Sequence, residues 1–370
     1  MSLDGPWQSG RVLTAAALIA AALYFAVFAA VGLGAYFTLD DGGNLLNAHG
    51  YWENSPGEMA GSVLRVATGA YRPVGGIFYL AIYKIAGFHP LPFRAVCLAL
   101  MLANVVIGFV LLNRLSGSIE TAFLGTLLWA HHPALFQLLF NTGTIYEICC
   151  FLFYFAALAW YVHWRRQGIL SWARTAGVLE LTALALNSKE MAVTLPVALA
   201  LFELTYCWPE RWTWQSILRQ GRAVLATALL TTIVMAVKLA TYNPLSRDPR
   251  YHIIVSVSGV IEALCRYFDA LIYRESFLTP VGLLAICAAM LALAHALRSR
   301  PMKFGFWFLV ISLAPVCIIP IFRNGFMLYI PMIGWSLYWG TLWTRAGQFV
   351  TSRIPHMVGV AIRATSMAAI

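Results

Sequence analysis

The chain has 370 residues, 61% hydrophobic and 11% charged, with a mean hydropathy of +0.75 and a formal net charge of +10. A soluble domain carries about 25% charged residues, so this composition excludes an ordinary soluble fold. Apolar runs of the roughly 20 residues a bilayer requires make it an all-α polytopic membrane protein. No basic run is dense enough to follow phosphates along a duplex, which argues against a nucleic-acid partner.

Taken in order, the spans are expected over residues 11–36, 92–113, 119–131, 144–164, 170–187, 190–207, 221–241, 277–297, 303–321 and 326–344. A mildly hydrophobic stretch, 346–370, reads as an incomplete final span. The sum is a single transmembrane domain over 1–370, a bundle of roughly ten or eleven helices. The first run is too long, and lacks the small-residue cleavage site, for a removable signal peptide. Basic residues gather in alternate loops: Arg11; Arg114; Arg165, Arg166 and Arg174; Arg211, Arg219 and Arg222; Arg298, Arg300 and Lys303; Arg345 and Arg353. By the positive-inside rule these loops and the N-terminus are cytoplasmic. The first external loop, 37–91, then lies outside, as does a second loop, 242–276.

Two apolar stretches do not fit as spans. Residues 74–88 are too short and read as an interfacial helix in the outer leaflet, with Tyr79 and Tyr83 as anchors. Within 254–273, Glu262, Arg266, Asp269 and Tyr273 recur at helical spacing as one polar stripe, the pattern of an amphipathic interfacial helix. The seven cysteines lie mostly inside apolar runs and show neither disulfide nor metal-ligand spacing.

Polar residues collect at the outer ends of the spans. Asp40 and Asp41 follow the first run directly, and a carboxylate at a membrane rim is costly to desolvate. Tyr71-Arg72-Pro73 opens the interfacial helix. His131-His132-Pro133 is followed by Gln137, Asn141, Tyr146 and Glu147. Asn187-Ser188-Lys189-Glu190 is wedged between two apolar runs, and Arg323-Asn324-Gly325 leads to Tyr329. The alternatives are a plain helix stop at His131-His132-Pro133 and snorkelling of Arg72 and Arg323 to headgroups. The histidines and carboxylates leave room for a divalent metal, although no spacing is diagnostic. Together the groups offer carboxylates to take a proton and cations to hold a phosphate. His131, His132, Gln137, Glu147, Glu190 and Tyr329 are candidates to line the pocket.

The order Leu39-Asp40-Asp41, Tyr71-Arg72-Pro73-Val74, His132-Pro133 with Gln137, Ser188-Lys189-Glu190 before Leu195-Pro196, and Arg323 before Leu328-Tyr329-Ile330-Pro331 resembles the GT-C glycosyltransferases. It is most similar to the protein O-mannosyltransferase-like branch, including membrane mannosyltransferases with tetratricopeptide tails. The likeness covers about residues 37–335. It implies sugar transfer from a polyprenyl-phosphate donor to an acceptor hydroxyl outside a plasma membrane, in a bacterium the inner one. It also implies that the acidic pair holds the general base, with Asp41 preferred over Asp40, and that Lys189 lies near the donor phosphate; from their places at outer span ends, at least one of Arg72 and Arg323 is expected to join Lys189 there. Two departures stand out. Gln137 occupies a glutamate position, and no tetratricopeptide tail follows the last span, so a protein, a lipid or a glycan acceptor all stay open. A lipid-linked saccharide transporter and a non-catalytic assembly subunit are the competing readings.

Overall fold

The computed structural model describes residues 6–53, 61, 63, 66, 69–207, 221–242, 256–274, 278–318 and 325–352. Their regular structure is entirely helical. In chain order the helices are α1 (Pro6–Ala29, continued by a 3-10 turn Ala30–Gly34), α2 (Leu39–Glu53), α3 (Pro73–Ala86), α4 (Pro90–Ser116) and α5 (Ile119–Ala130). Three short turns follow, Pro133–Leu135, Gln137–Phe140 and Thr142–Thr144. The chain continues through α6 (Ile145–Arg165), α7 (Trp172–Ser188), a 3-10 turn Glu190–Thr194 and α8 (Leu195–Tyr206). It ends in α9 (Arg222–Tyr242), α10 (Val257–Leu271), α11 (Pro280–Ala296), α12 (Arg300–Cys317) and α13 (Met332–Thr351).

Local signals set many of these ends. Ser118, Ser171, Ser256, Thr279 and Ser299 each accept a backbone N–H of the first turn through the side-chain hydroxyl. Proline occupies the first turn of α3, α4, α8, α11 and α12, where its missing N–H costs nothing. α4 stops at Gly117, which adopts the left-handed conformation (φ 69°) that only glycine takes freely.

Among the described residues, four helical stretches, Gly10–Gly34, Pro90–Ser116, Thr142–Arg165 and Arg222–Thr241, are long and apolar enough to cross a membrane. The first and last of these leave most of their apolar surface uncovered, with Val12, Leu23, Val27, Leu229, Ile233 and Val237 all exposed. Contiguous apolar surface of that extent is unstable against water and suits contact with lipid. Two other expected spans are shorter. Residues 119–131 form only the 12 residues of α5. The expected span 190–207 breaks into a 3-10 turn and the 12-residue α8. Helix α3, at 14 residues, rises about 21 Å, less than the roughly 30 Å hydrocarbon core.

The core is aromatic. Trp129, Phe151 and Tyr329 pack with ring centroids 4.3–5.4 Å apart, and Phe155 and Phe308 extend the stack. Helices α12 and α13 cross backbone to backbone at Gly305 and Gly334, where a Cβ on either would overlap the other's carbonyl. The bundle has two ends of different character. Helix α4 rises about 40 Å from His89, beside the first-loop segment, to Arg114. Helix α6 runs likewise from Glu147 to Arg165, and α9 returns from Arg222 to Lys238.

The polar stripe expected over 254–273 is only partly exposed. Glu262 and Arg266 form an exposed pair at 2.8 Å. Asp269 instead is buried and accepts the Leu278 backbone N–H at 3.1 Å, tying α10 to the start of α11. Residues 243–255, 275 and 276 of loop 242–276, and residues 353–370, lie outside the described residues.

Candidate functional site

Helix α2 opens on Thr38-Leu39-Asp40-Asp41, and the spacing makes Asp41 a capping residue. Its Oδ2 accepts the Thr38 backbone N–H at 2.7 Å and the Thr38 hydroxyl at 3.0 Å, the reciprocal half of a capping box. Its Oδ1 accepts the Tyr79 hydroxyl at 2.7 Å. Asp41 is fully buried. Burial, then the charge and hydrogen bond of Asp41, push the Tyr79 pKa up, so the phenol stays a donor. Both carboxylate oxygens are therefore committed.

Asp40 lies about 100° further round the helix and is exposed. Asn141 Nδ2 donates to its Oδ2 at 3.2 Å, while Asn141 Oδ1 accepts the Thr38 hydroxyl at 2.9 Å and the Gly143 N–H at 2.8 Å. Asn44 donates to the Asp40 carbonyl at 3.0 Å and accepts the Tyr146 hydroxyl at 2.8 Å. Of the adjacent pair, Asp40 is the carboxylate that an incoming hydroxyl can approach. This reverses the sequence-based preference for Asp41, because the outer turn of α2 faces Asp41 inward.

Tyr146 carries the network onward. The Arg72 guanidinium lies 5.6 Å from the Tyr146 ring centroid and makes a bidentate pair with Glu190, Nε to Oε1 at 3.0 Å and Nη2 to Oε2 at 2.6 Å. Next to Tyr146 in sequence, Glu147 forms a buried ion pair with Lys189. Lys189 is extended (φ −157°, ψ 150°), a one-residue break between α7 and the 3-10 turn. Successive side chains of an extended segment point apart, so Lys189 turns to Glu147 and Glu190 to Arg72. Lys238, from α9, is buried beside this group. It donates to the Leu186 carbonyl at 2.8 Å, lies 4.8 Å from the Tyr71 ring centroid, and has no carboxylate at ion-pair distance among the described residues.

Asp40, Asp41, Arg72, Glu147, Lys189 and Glu190 thus form one connected polar cluster, although five separate chain segments supply its members with Lys238. Other expected members lie elsewhere. His131 packs among Tyr24, Phe25 and Phe28, with Nδ1 on the Leu127 carbonyl, and so fastens α1 to α5. His132 stacks on Tyr273, takes the Ala134 N–H on Nδ1 and faces the Leu271 carbonyl with Nε2 at 3.3 Å. Burial pushes its pKa down despite that last contact. Tyr329 is in the aromatic core, its hydroxyl taking the Asn104 amide at 3.1 Å. Gln137 is half-buried at the start of the one-turn helix Gln137–Phe140. Arg323 lies outside the described residues. Tyr79 is no interfacial anchor, since it is buried on Asp41, and Tyr83 is half-buried and hydrogen-bonded to His49 at 2.9 Å. The two histidines do not meet the carboxylates, and no group of three metal-ligating side chains forms among the described residues.

The sequence reading missed Asn44, since a short polar residue near a helix start looks like an ordinary cap, and took Tyr79 for an interfacial anchor. Lys238 carried a usable signal, a lone lysine inside an apolar run. Chemically, the cluster offers an exposed carboxylate, Asp40, beside the half-buried pair of Arg72 with Glu190 and the buried Glu147, Lys189 and Lys238. Comparison with known protein families, with curated proteins and with solved structures returns no match to this chain.

Proposed function

We propose that the chain is a polytopic membrane glycosyltransferase of GT-C type. In this reading it moves a sugar from a polyprenyl-phosphate donor to an acceptor hydroxyl at the outer membrane boundary. The observation that carries it is the convergence of Asp40 with Arg72, Lys189 and Lys238, from four distant segments, at the bundle end opposite Arg114 and Arg165. Asp40 takes the acceptor proton as the acceptor oxygen bonds the anomeric carbon. The bond from that carbon to the phosphate oxygen breaks, and the lipid phosphate leaves with the electron pair. Cations stabilise that growing charge. Lys238 serves the phosphate better than Lys189 or Arg72, whose charges Glu147 and Glu190 already answer.

The pairing of Lys189 and Arg72 with carboxylates also favours a second reading, a structural ion-pair network in a non-catalytic membrane subunit. One experiment separates the two. Purified protein is incubated with radiolabelled polyprenyl-phosphate sugars and membrane extract. Label should appear in an acceptor fraction, and Asp40→Asn should cut its rate 10²-fold or more with unchanged expression. Transfer that survives intact in Asp40→Asn would sink the assignment of the base. No transfer with any donor would leave the structural reading.

A further inference from the structure

The opposite end of the bundle holds a second feature that the transferase reading does not use. A cleft of about 460 Å³ opens between α8, the end of α11 and α12, lined by Leu204, His295, Arg300, Lys303, Trp307 and Ile311 among others. That volume is within the roughly 300–1,000 Å³ of small-ligand sites. Its two walls differ in kind. Arg300 and Lys303 stand one turn apart on α12, with His295 facing them from α11. Trp307 and Ile311 continue the same face of α12, and Leu204 is exposed across from them.

The charges here are not balanced. Among neighbouring cations, Arg165 is bidentate with Glu203 at 2.7 and 2.9 Å, Arg114 donates to the Ala159 carbonyl and Arg345 to the Leu297 carbonyl. Glu203, the acid on α8, also accepts the Tyr161 hydroxyl at 2.6 Å, so both its oxygens are engaged by α6 rather than by the cleft cations. Neither Arg300 nor Lys303 has an ion-pair partner among the described residues. A cationic wall beside an exposed apolar one is complementary to an anionic amphiphile. The tryptophan, with an apolar ring and a polar N–H, suits the depth at which headgroups meet acyl chains.

We propose that this cleft binds an anionic phospholipid, its phosphate on Arg300 and Lys303 and its glycerol and upper acyl chain along Trp307, Ile311 and Leu204. The proposal needs the membrane but not the transferase activity, so it stands or falls apart from it. Native mass spectrometry of the detergent-solubilised protein, titrated with phosphatidylglycerol or phosphatidylcholine, tests it. Wild type should retain phosphatidylglycerol about thirtyfold better, as two basic contacts to an anionic lipid imply. The double variant Arg300→Gln, Lys303→Gln should lose that preference, whereas Lys84→Gln, an exposed lysine at the other end, should keep it. The charge-retaining swap Arg300→Lys, Lys303→Arg should also keep it, which separates lost charge from lost fold. Equal retention of both lipids by wild type, or an unchanged preference in the glutamine double variant, overturns the proposal. So does displacement of the lipid by millimolar inorganic phosphate alone, which would assign the cleft to a free anion.

Discussion

Lys189 and Glu147 are each almost wholly buried, and they answer one another. Removing one partner from such a pair leaves an unmatched charge out of water, which costs roughly 3–5 kcal/mol, whereas replacing both with apolar groups is often neutral. Lys189→Met should therefore lower the unfolding midpoint sharply, and Glu147→Leu added to it should restore most of the loss. A Lys189→Met protein as stable as wild type would return the lysine to the donor-phosphate role. His132 makes a different prediction. Its pKa in the folded state lies below the ordinary value of about 6.5, because burial opposes the imidazolium. Below that value the unfolded chain takes up the proton more readily than the folded one. The stability His132 contributes is thus complete above about pH 6.5 and declines as the pH falls toward its folded value. Unfolding midpoints measured from pH 7 to 5 should fall in wild type and fall less in His132→Gln. Parallel curves would rule this histidine out as the source.

At the scale of elements, two glycines of the site end have opposite roles. Gly75 in α3 faces α6, and a Cβ there would overlap the Tyr146 ring. Gly43 in α2 has nothing within 4 Å of where a Cβ would lie. Alanine favours a helix over glycine by about 1 kcal/mol, so Gly43→Ala should raise the unfolding temperature slightly. The same change at Gly75 forces Tyr146 away from Asn44 and Arg72, at roughly 1–3 kcal/mol for overpacking. It should lower both stability and any transfer activity. A stabilising Gly75→Ala would mean that α3 and α6 are not in this close register. Helix existence and many helix starts were legible beforehand, since serine, threonine and proline act locally at Ser118, Ser171, Thr279 and Pro90. The break near Ser188 was legible as the gap between the expected spans 170–187 and 190–207. That Lys189 is extended, and so separates the charges of two neighbours, needed the backbone.

For the whole molecule, the question is which end faces which side. The Asp40 end includes Phe37 against Phe93 and His49 near Phe88, which puts His89 beside the cluster. The basic end, with Arg114, is about 40 Å away along α4. The positive-inside rule predicts that the first end is external. His89→Cys should accordingly react in intact cells with a thiol reagent that does not cross membranes, and Arg298→Cys should react only after the membrane is opened. Both positions are exposed, and most of the native cysteines are buried, so the background should be low. The reverse pattern would invert the topology and place Asp40 in the cytoplasm.

The sequence by itself determined the helical class and the apolar runs, because hydropathy and capping are properties of neighbouring residues. It also singled out Asp40-Asp41, Arg72, Glu147 and Lys189-Glu190, which the fold gathers into one cluster, because charges at the rims of apolar runs are costly wherever the helices go. It did not determine which carboxylate of the pair is accessible. That depends on the rotation of α2 against Tyr79, a contact between residues 38 apart in the chain. Nor did it distinguish cations that are already paired from those left over. Arg72 meets Glu190 across 118 residues, and Lys189 meets Glu147 across 42. Ion pairs form through space, at about 3 Å, and chain order does not record them until the helices have packed.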